Sequence, residues 1–353
     1  MIKAAITDGK GRVWVDQIPK PKPGAYECLC KVHACATCTG TDQKIVNGKL
    51  LYVPQYPGIL GHESVGTVVE VGAKVRYVKV GDQFFHPAAA WPGEKLGEVY
   101  SAWGGFSEFA LVTDSQAVNE DQPDYELNPY CRFQQKLPDV WNVSPADTTM
   151  MVTLKEAASF VMSSEIGPGL SLLILGSGPV AVSMLRFAKI LGAHPVIMVA
   201  RRDEPLTQAR QIGADHTINV THVDLVDAVK QQTHGKGVDM ILDAAGNLPL
   251  LKTAMSVLAP NGTVAPYAIY DKGDGSKGGV YDIKQDEESI VQLGQLSRAK
   301  VNEDQAHQYL IDAVRLSLLD LSAFYSHTMP LEKISEGFDL LRSKQATKIV
   351  FEM

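Results

Sequence analysis

Along this 353-residue chain the rhythm of apolar and polar positions changes near residue 150. Up to about residue 113 the apolar positions come in short β-branched runs closed by glycine. "YECLCKVHACAT" alternates as a half-buried strand does, and "ESVGTVVEVG", "VKVGDQFF" and "GGFSEFALV" read as further strands, so this part predicts a barrel-like β domain. Residues 114–136, "DSQAVNEDQPDYELNPYCRFQQK", are polar, acidic and turn-rich, and read as a surface loop or contact arm rather than core. Beyond residue 150, "LSLLILGSG" is the continuous apolar run of a strand buried on both faces, and "PVAVSMLRFAKILGA" follows at helical spacing. The strand-like "PVIMVA", "HTINV", "VDMILDAAG" and "GTVAPYAIY" then alternate with the helix-like "EPLTQARQIGA", "VDLVDAVKQQT" and "LLKTAMSVLAP". Strand and helix in alternation to about residue 270 predict an α/β fold with a doubly wound parallel sheet. The tail, "LEKISEGFDLLRSKQATKIVFEM", reads as a helix and a final strand.

Length and composition narrow the function classes. A chain this long splits into two domains by default. Its hydrophobic fraction of 45% and charged fraction of 21% are those of a soluble globular protein. The net charge of −7 argues against a nucleic-acid partner, because phosphate binding needs a basic face. No apolar run reaches the roughly 18 residues that span a bilayer, and the start, "MIKAAITDGKGRVWV", lacks a signal-peptide pattern, so no membrane partner is expected. Four of the five cysteines fall between positions 28 and 38, which is no disulfide framework and fits a reducing, cytoplasmic location. Cys28, Cys30 and Cys35 are spaced for a strand and read as small core residues.

"LILGSGPVAVSMLRFA" carries Gly176-x-Gly178-x-x-Ala181 between a strand and a helix, with Val180 in the helix's first turn. Gly176 permits the tight turn, Gly178 lets a pyrophosphate approach the backbone, and Ala181 lets helix and strand pack closely, so the turn predicts a dinucleotide on the helix N-terminus. A tight turn without a ligand is the alternative. An acidic residue at the end of the next strand would bind the ribose 2′-hydroxyl of NAD. That strand ends at Ala200 and is followed by Arg201 and Arg202, while Asp203 and Glu204 open the next helix. Two guanidinium groups suit a 2′-phosphate and favour NADP over NAD, unless both are merely solvated.

The segment "YPGILGHESVGTVVEVG" raises a different question, because His62-Glu63 stands at the start of an apolar strand, where a charged pair needs partners. Upstream, "ACATCTGTDQKIVNGK" holds Cys35, Cys38, Thr41 and Asp42. Thiolate, imidazole and carboxylate are zinc ligands, and a catalytic zinc takes three protein ligands and keeps one position open. Cys38 and His62 are two candidates, Glu156 of "TLKEAASF" is a third, and Glu63 is either a group behind the ligands or a ligand itself. A hydrogen-bonded His-Glu pair without a metal is the bland alternative. His33, His86, His216 and His327 lack comparable surroundings and read as surface or satisfied core residues.

With "CTGTD", "GHESVGTVVEVGAKVRYVKVGDQF", "GGFSEFALV", "LGSGPVA", "IGADHTIN", "VDMILDAAG" and "KIVFEM" assembled, the chain resembles, nearly end to end, the zinc-dependent medium-chain alcohol dehydrogenases of the polyol and threonine dehydrogenase type. The resemblance implies a chaperonin-10-like β domain made from both chain ends, 1–153 with 298–353, and a nucleotide domain, 154–297, inserted between them. It implies zinc on Cys38 and His62, with Glu156 matching the third ligand, although the proline that usually follows is absent and an ungapped match would put Thr153 there. It implies a proton relay through Thr41, an orienting or capping role for Asp42, and a basic residue on the cofactor pyrophosphate at Lys348. "CTGTD" has one residue more than the family pattern. The four-cysteine lobe of many relatives is replaced by the cysteine-free "HPAAAWPGEKLGEVYSAWGG", so one catalytic zinc and no structural zinc are expected.

The expected reaction is reversible oxidation of an alcohol, polyol or sugar-like, with NADP as hydride acceptor, NAD remaining possible. A small-molecule substrate and a homodimer or homotetramer complete the expectation. A zinc-free quinone or enone reductase and a non-catalytic cofactor-binding protein are the rival readings.

Overall fold

The last strand of the chain, Ile349–Glu352, lies between His327–Pro330 and Glu27–Ala36, with Val350 opposite Ala36 and Phe351 opposite Cys35. The sheet continues through Glu63–Val71 to Gln83–Phe85, and Phe109–Thr113 also pairs with Glu27–Ala36. A second sheet runs in the order Val13–Ile18, Ile2–Thr7, Gly58–Ile59, Val99–Ser101 and Lys95–Leu96. Ala5 and Val13 of the second sheet share one apolar core with Cys35, Ile349 and Phe351 of the first and with Phe338 of the helix Ile334–Arg342. The structure, a computed structural model, describes residues 1–49, 55–268, 270–271, 280–281, 295–297 and 299–353. Position 269, inside the run read as a strand from 262 to 270, and the expected boundary at 298 fall outside them.

The chain divides into two compact units, Met1–Thr153 with Leu316–Met353, and Leu154–Arg315. The return to the first unit comes later than the expected residue 298. The reason is the helix Glu303–Arg315, which buries Ala306, Leu310, Ile311 and Ala313 and sets the Tyr309 ring 6.2 Å from Phe187 of the second unit. Upstream of it, the backbone N–H groups of Lys300 and Asn302 donate to the hydroxyls of Ser163 and Ser159.

The second unit holds an all-parallel sheet in the order His216–Asn219, Val196–Ala200, Leu172–Leu175, Val238–Asp243, Leu258–Pro266 and Gln295–Leu296. The order reverses at Leu172–Leu175, so the crevice beyond that strand's carboxyl end is the topological switch point where such sheets take ligands. Leu172–Leu175 and Val196–Ala200 are buried along their whole length, as continuous apolar runs require. The intervening helices are Pro179–Ile190, Asp203–Ile212, Leu225–Gln232 and Leu248–Met255.

Lys155 is fully buried in this second unit. Burial pulls its ammonium down to a pKa of about 8, against the charges of Glu303 and Asp304, which raise it. A lysine in the unfolded chain titrates near ~10.4, so between about pH 8 and that value the unfolded state holds more protons and stability rises with pH. Below pH 8 the full penalty is present. Urea unfolding followed by far-UV circular dichroism, to which this unit's helices contribute most, should show stability rising by up to about 3 kcal/mol from pH 8 to 10. The rise should vanish in Lys155→Met. A wild type without it would mean that the ammonium is well solvated.

Candidate metal centre and dinucleotide turn

Strand Glu27–Ala36 runs through Thr37 into the helix Thr39–Val46, whose N-cap is Cys38. Asp42 reaches back within the first turn, and its Oδ2 accepts the Cys38 backbone N–H at 2.8 Å. The extra residue of "CTGTD" is thus absorbed in one helical turn, with Thr41 half-buried beside Asp42. His62 is presented by Gly61, which has φ +97°; a Cβ there would lie 2.5 Å from the backbone nitrogen of Phe106. Only glycine allows that approach. Glu63 then opens the strand Glu63–Val71. Cys38 Sγ, a ring nitrogen of His62 and a carboxylate oxygen of Glu63 all lie within 4.8 Å of one another, the one such group among the described residues.

Asp42 stands behind His62, with Oδ1 3.5 Å from Nδ1. Both atoms are buried and lack a hydrogen-bond partner among the described residues. Burial pushes the imidazole pKa down, but the close approach of the Asp42 carboxylate and of Cys38, with their charges, prevails, and the net shift is well upward. With Asp42 facing Nδ1, Nε2 is left as the nitrogen for a metal. Burial also pushes the Cys35 thiol well up, so it stays protonated as a core residue, whereas Cys38 is half-exposed. A thiol, an imidazole and a carboxylate converging beside orphaned buried polar atoms fit a zinc ion.

The inner side of Glu63 is also occupied. Its Oε2 pairs with the Lys348 ammonium, its Oε1 accepts the Thr153 hydroxyl at 2.9 Å, and Lys348 Nζ donates to Thr153 Oγ1 at 2.8 Å. Glu63 and Lys348 are each only 2% exposed in their side chains. Two sequence expectations change. Lys348, expected on the cofactor pyrophosphate, is buried against a carboxylate. Glu156, expected as third ligand, is absent from the donor group: the helix Pro145–Ser163 brings Thr153 to Glu63, and Glu156 stands almost one turn further along. The ungapped match named Thr153; the preference for a carboxylate over a hydroxyl as ligand obscured it.

His86 departs from its expected place as an ordinary surface or core residue. It lines a pocket with His62, Trp103, Tyr130 and Phe133. Tyr130 and Phe133 belong to segment 114–136, which is more ordered than its composition suggests. Asp114 caps the helix Ser115–Asp121, Arg76 pairs with Glu120 at 2.9 Å and Asp121 at 3.0 Å, and the 3-10 turn Pro129–Phe133 buries Cys131. The aromatic residues "Y" and "F" within that acidic run were the available signal. His33 bonds Thr67 and His327 bonds Ser326, both satisfied as expected.

In the second unit Gly176 has φ +111° and Gly178 is the N-cap of Pro179–Ile190. Gly178 makes no side-chain cap, and a Cβ on it would meet nothing within 4 Å, so there is open space beside the start of the helix. Val180 is half-buried and Ala181 is buried. Ala200 ends its strand buried, and Arg201 and Arg202 follow, exposed and without an ion pair among the described residues.

Removing Lys348 would leave the buried Glu63 carboxylate uncompensated. With metal chelated, Lys348→Met should cost about 3–5 kcal/mol, and Lys348→Met with Glu63→Gln should recover most of the loss. All four tryptophans lie in the first unit, so urea unfolding followed by tryptophan fluorescence reads this loss. A single mutant as stable as the wild type would remove the ion pair from the account.

Comparison with known proteins shows what the whole chain is similar to. Residues 24–122 match the family model "Alcohol dehydrogenase GroES-like domain", and residues 179–295 match "Zinc-binding dehydrogenase". Sorbitol dehydrogenase of Bacillus subtilis (strain 168) is 28% identical over 269 residues, 75% of this chain and 74% of that protein. L-threonine 3-dehydrogenase of Cronobacter sakazakii is 26% identical over 348 residues, 96% of this chain and 95% of that protein. The crystal structure of 2R,3R-butanediol dehydrogenase from Bacillus subtilis superposes with a TM-score of 0.79 at 22% identity, covering 100% of both chains, and shows the shared fold. No helix among the described residues is long and apolar enough to cross a membrane. With two family models matching in tandem, and with relatives that are themselves dehydrogenases, the chain belongs to the zinc-type medium-chain alcohol dehydrogenases.

Proposed function

We propose that this dehydrogenase oxidises an alcohol of polyol or sugar-like kind with NADP, using a single zinc ion held by Cys38, His62 and Glu63. The observation that carries the reading is the convergence of those three donors within 4.8 Å, with Asp42 behind the imidazole. When bound, zinc supplies Lewis acidity that makes the substrate hydroxyl more acidic, and the nicotinamide accepts hydride. The chain's own residues do the rest. Asp42 fixes the His62 ring and, through the Cys38 backbone N–H, the start of the thiol-bearing turn. Thr41, in that turn, is the hydroxyl assigned to pass the released proton towards solvent. Lys348 and Thr153 hold Glu63 and offset its charge. In the second unit, Gly176, Gly178, Val180 and Ala181 shape the phosphate-binding helix start, and Arg201 and Arg202 pair with the 2′-phosphate.

Elemental analysis of the purified enzyme should give one zinc per chain, and Cys38→Ser should remove both metal and activity while tryptophan fluorescence stays native. Two zinc ions per chain, or none, would overturn the metal assignment. A Glu63→Gln variant that keeps full zinc would return the third position to Glu156 or water.

Cofactor choice is tested separately. Ala200→Asp with Arg201→Ser should swing the ratio of kcat/KM values towards NAD. Each lost charge-assisted contact to the 2′-phosphate is worth roughly 1.5–3 kcal/mol, about one to two powers of ten. Equal wild-type efficiency on both cofactors would refute the role given to the arginines.

A further inference from the structure

The chain holds two Asn-Gly pairs, Asn47-Gly48 and Asn261-Gly262, and the fold treats them differently. An asparagine followed by glycine is chemically labile, because glycine has no Cβ to keep its backbone nitrogen away from the neighbouring side-chain amide. Asn47 is the C-cap of the helix Thr39–Val46. Its Nδ2 donates to the Gln43 carbonyl at 2.6 Å, and the Gly48 N–H donates to the Ile45 carbonyl at 2.9 Å. The amide that would leave and the nitrogen that would attack are both engaged.

The Asn261 side chain has no such restraint. It is exposed and makes no hydrogen bond among the described residues. It stands in a bulge of the strand Leu258–Pro266. Val238 pairs with Leu258 and Met240 with Thr263, so Ala259, Pro260, Asn261 and Gly262 face Asp239 alone. The bulge explains both residue types. Asn261 has φ +66°, a left-handed backbone that asparagine adopts more readily than most residues with a side chain. A Cβ on Gly262 would lie 2.9 Å from the Ala259 carbonyl oxygen and 3.1 Å from that of Val238, so glycine is required there. The geometry of the bulge thus sets a labile pair on the surface of the second unit.

We infer that Asn261-Gly262 is a site of spontaneous deamidation in the folded protein, whereas the fold protects Asn47-Gly48. The Gly262 nitrogen attacks the Asn261 side-chain carbonyl carbon. A new C–N bond forms, the bond to Nδ2 breaks, and the Gly262 proton leaves with that nitrogen as ammonia. Water then opens the cyclic imide. It returns a proton to the Gly262 nitrogen and leaves a carboxylate, on aspartate or isoaspartate according to which C–N bond breaks. Solvent water is the only co-reactant, and nothing is oxidised or reduced.

The full chain is kept folded at neutral pH in 18O-labelled water, then digested with trypsin in ordinary water, so that conversion during digestion carries no label. Cleavage after lysine and arginine places the pairs in separate peptides, 45–49 and 253–272, whose masses report the uptake. Asn261 should take up label faster than Asn47 by roughly tenfold or more, because Asn47 reacts only after its helix end opens. In concentrated urea, where neither pair is held, the two rates should converge. Asn261→Gln, whose longer side chain closes a larger and less favourable ring, should remove the label from 253–272. An unlabelled Asn261, or equal rates in the folded wild type, overturns the inference. Rates that stay apart in urea overturn it as well, since the difference would then lie in the local sequence and not in the fold.

Discussion

A buried triangle of Lys348, Glu63 and Thr153 sets conditions that much of the first unit has to meet. A carboxylate that is 2% exposed needs a compensating charge, and here it comes from a lysine far along the chain. Lys348 sits just before the strand Ile349–Glu352, whose pairing with Glu27–Ala36 carries it to Glu63. Thr153 closes the triangle from a helix, separated by 90 residues from Glu63 and by 195 from Lys348. The first unit is therefore completed only when the chain returns after residue 315, and the second unit is an insertion by necessity.

The same triangle separates the duties of two adjacent residues. His62 brings a ring nitrogen near Cys38 and is steadied by Asp42; Glu63 shares that donor group while its carboxylate is also paired with Lys348. A thiolate, Asp42 and Glu63 in one small volume would repel one another and blunt the acidity of a bound cation. Placing an ammonium on Glu63 removes one unit of negative charge from that sum. Opposite charges attract strongly in a buried setting, so this compensation is local.

Much of this was readable from the sequence for definite reasons. The parallel strands announced themselves because burial on both faces leaves no room for polar residues, as in Leu172–Leu175. Cys38 and His62 were readable because their chemistry is specific and their neighbours, Asp42 and Gly61, have one-purpose geometry. Glu156 misled because a carboxylate looks like a ligand wherever it stands, whereas helical phase decides which residue meets Glu63, and one turn's difference is invisible without knowing where the helix is pinned. Lys348 misled in a related way: the resemblance implied a basic residue on the cofactor pyrophosphate, and nothing local reveals that Glu63 is its partner. His86 and Trp103 were hidden because they meet in a pocket assembled from separate segments between Gly61 and Phe133.

Aromatic packing also anchors the cysteine-free segment 86–105. Residues 86–105 carry no cysteine and form instead a short hairpin, Lys95–Leu96 with Val99–Ser101, that leads directly to Trp103. Trp103 meets Tyr130 edge-on, and Phe133 packs near both His86 and Trp103. Ring contacts thus join this segment to the 129–133 turn, a cross-link built from packing. The rings that anchor the segment also form the wall beside His62. Packing of the segment and the shape of the pocket then depend on the same side chains, so a change that reshapes one has to alter the other.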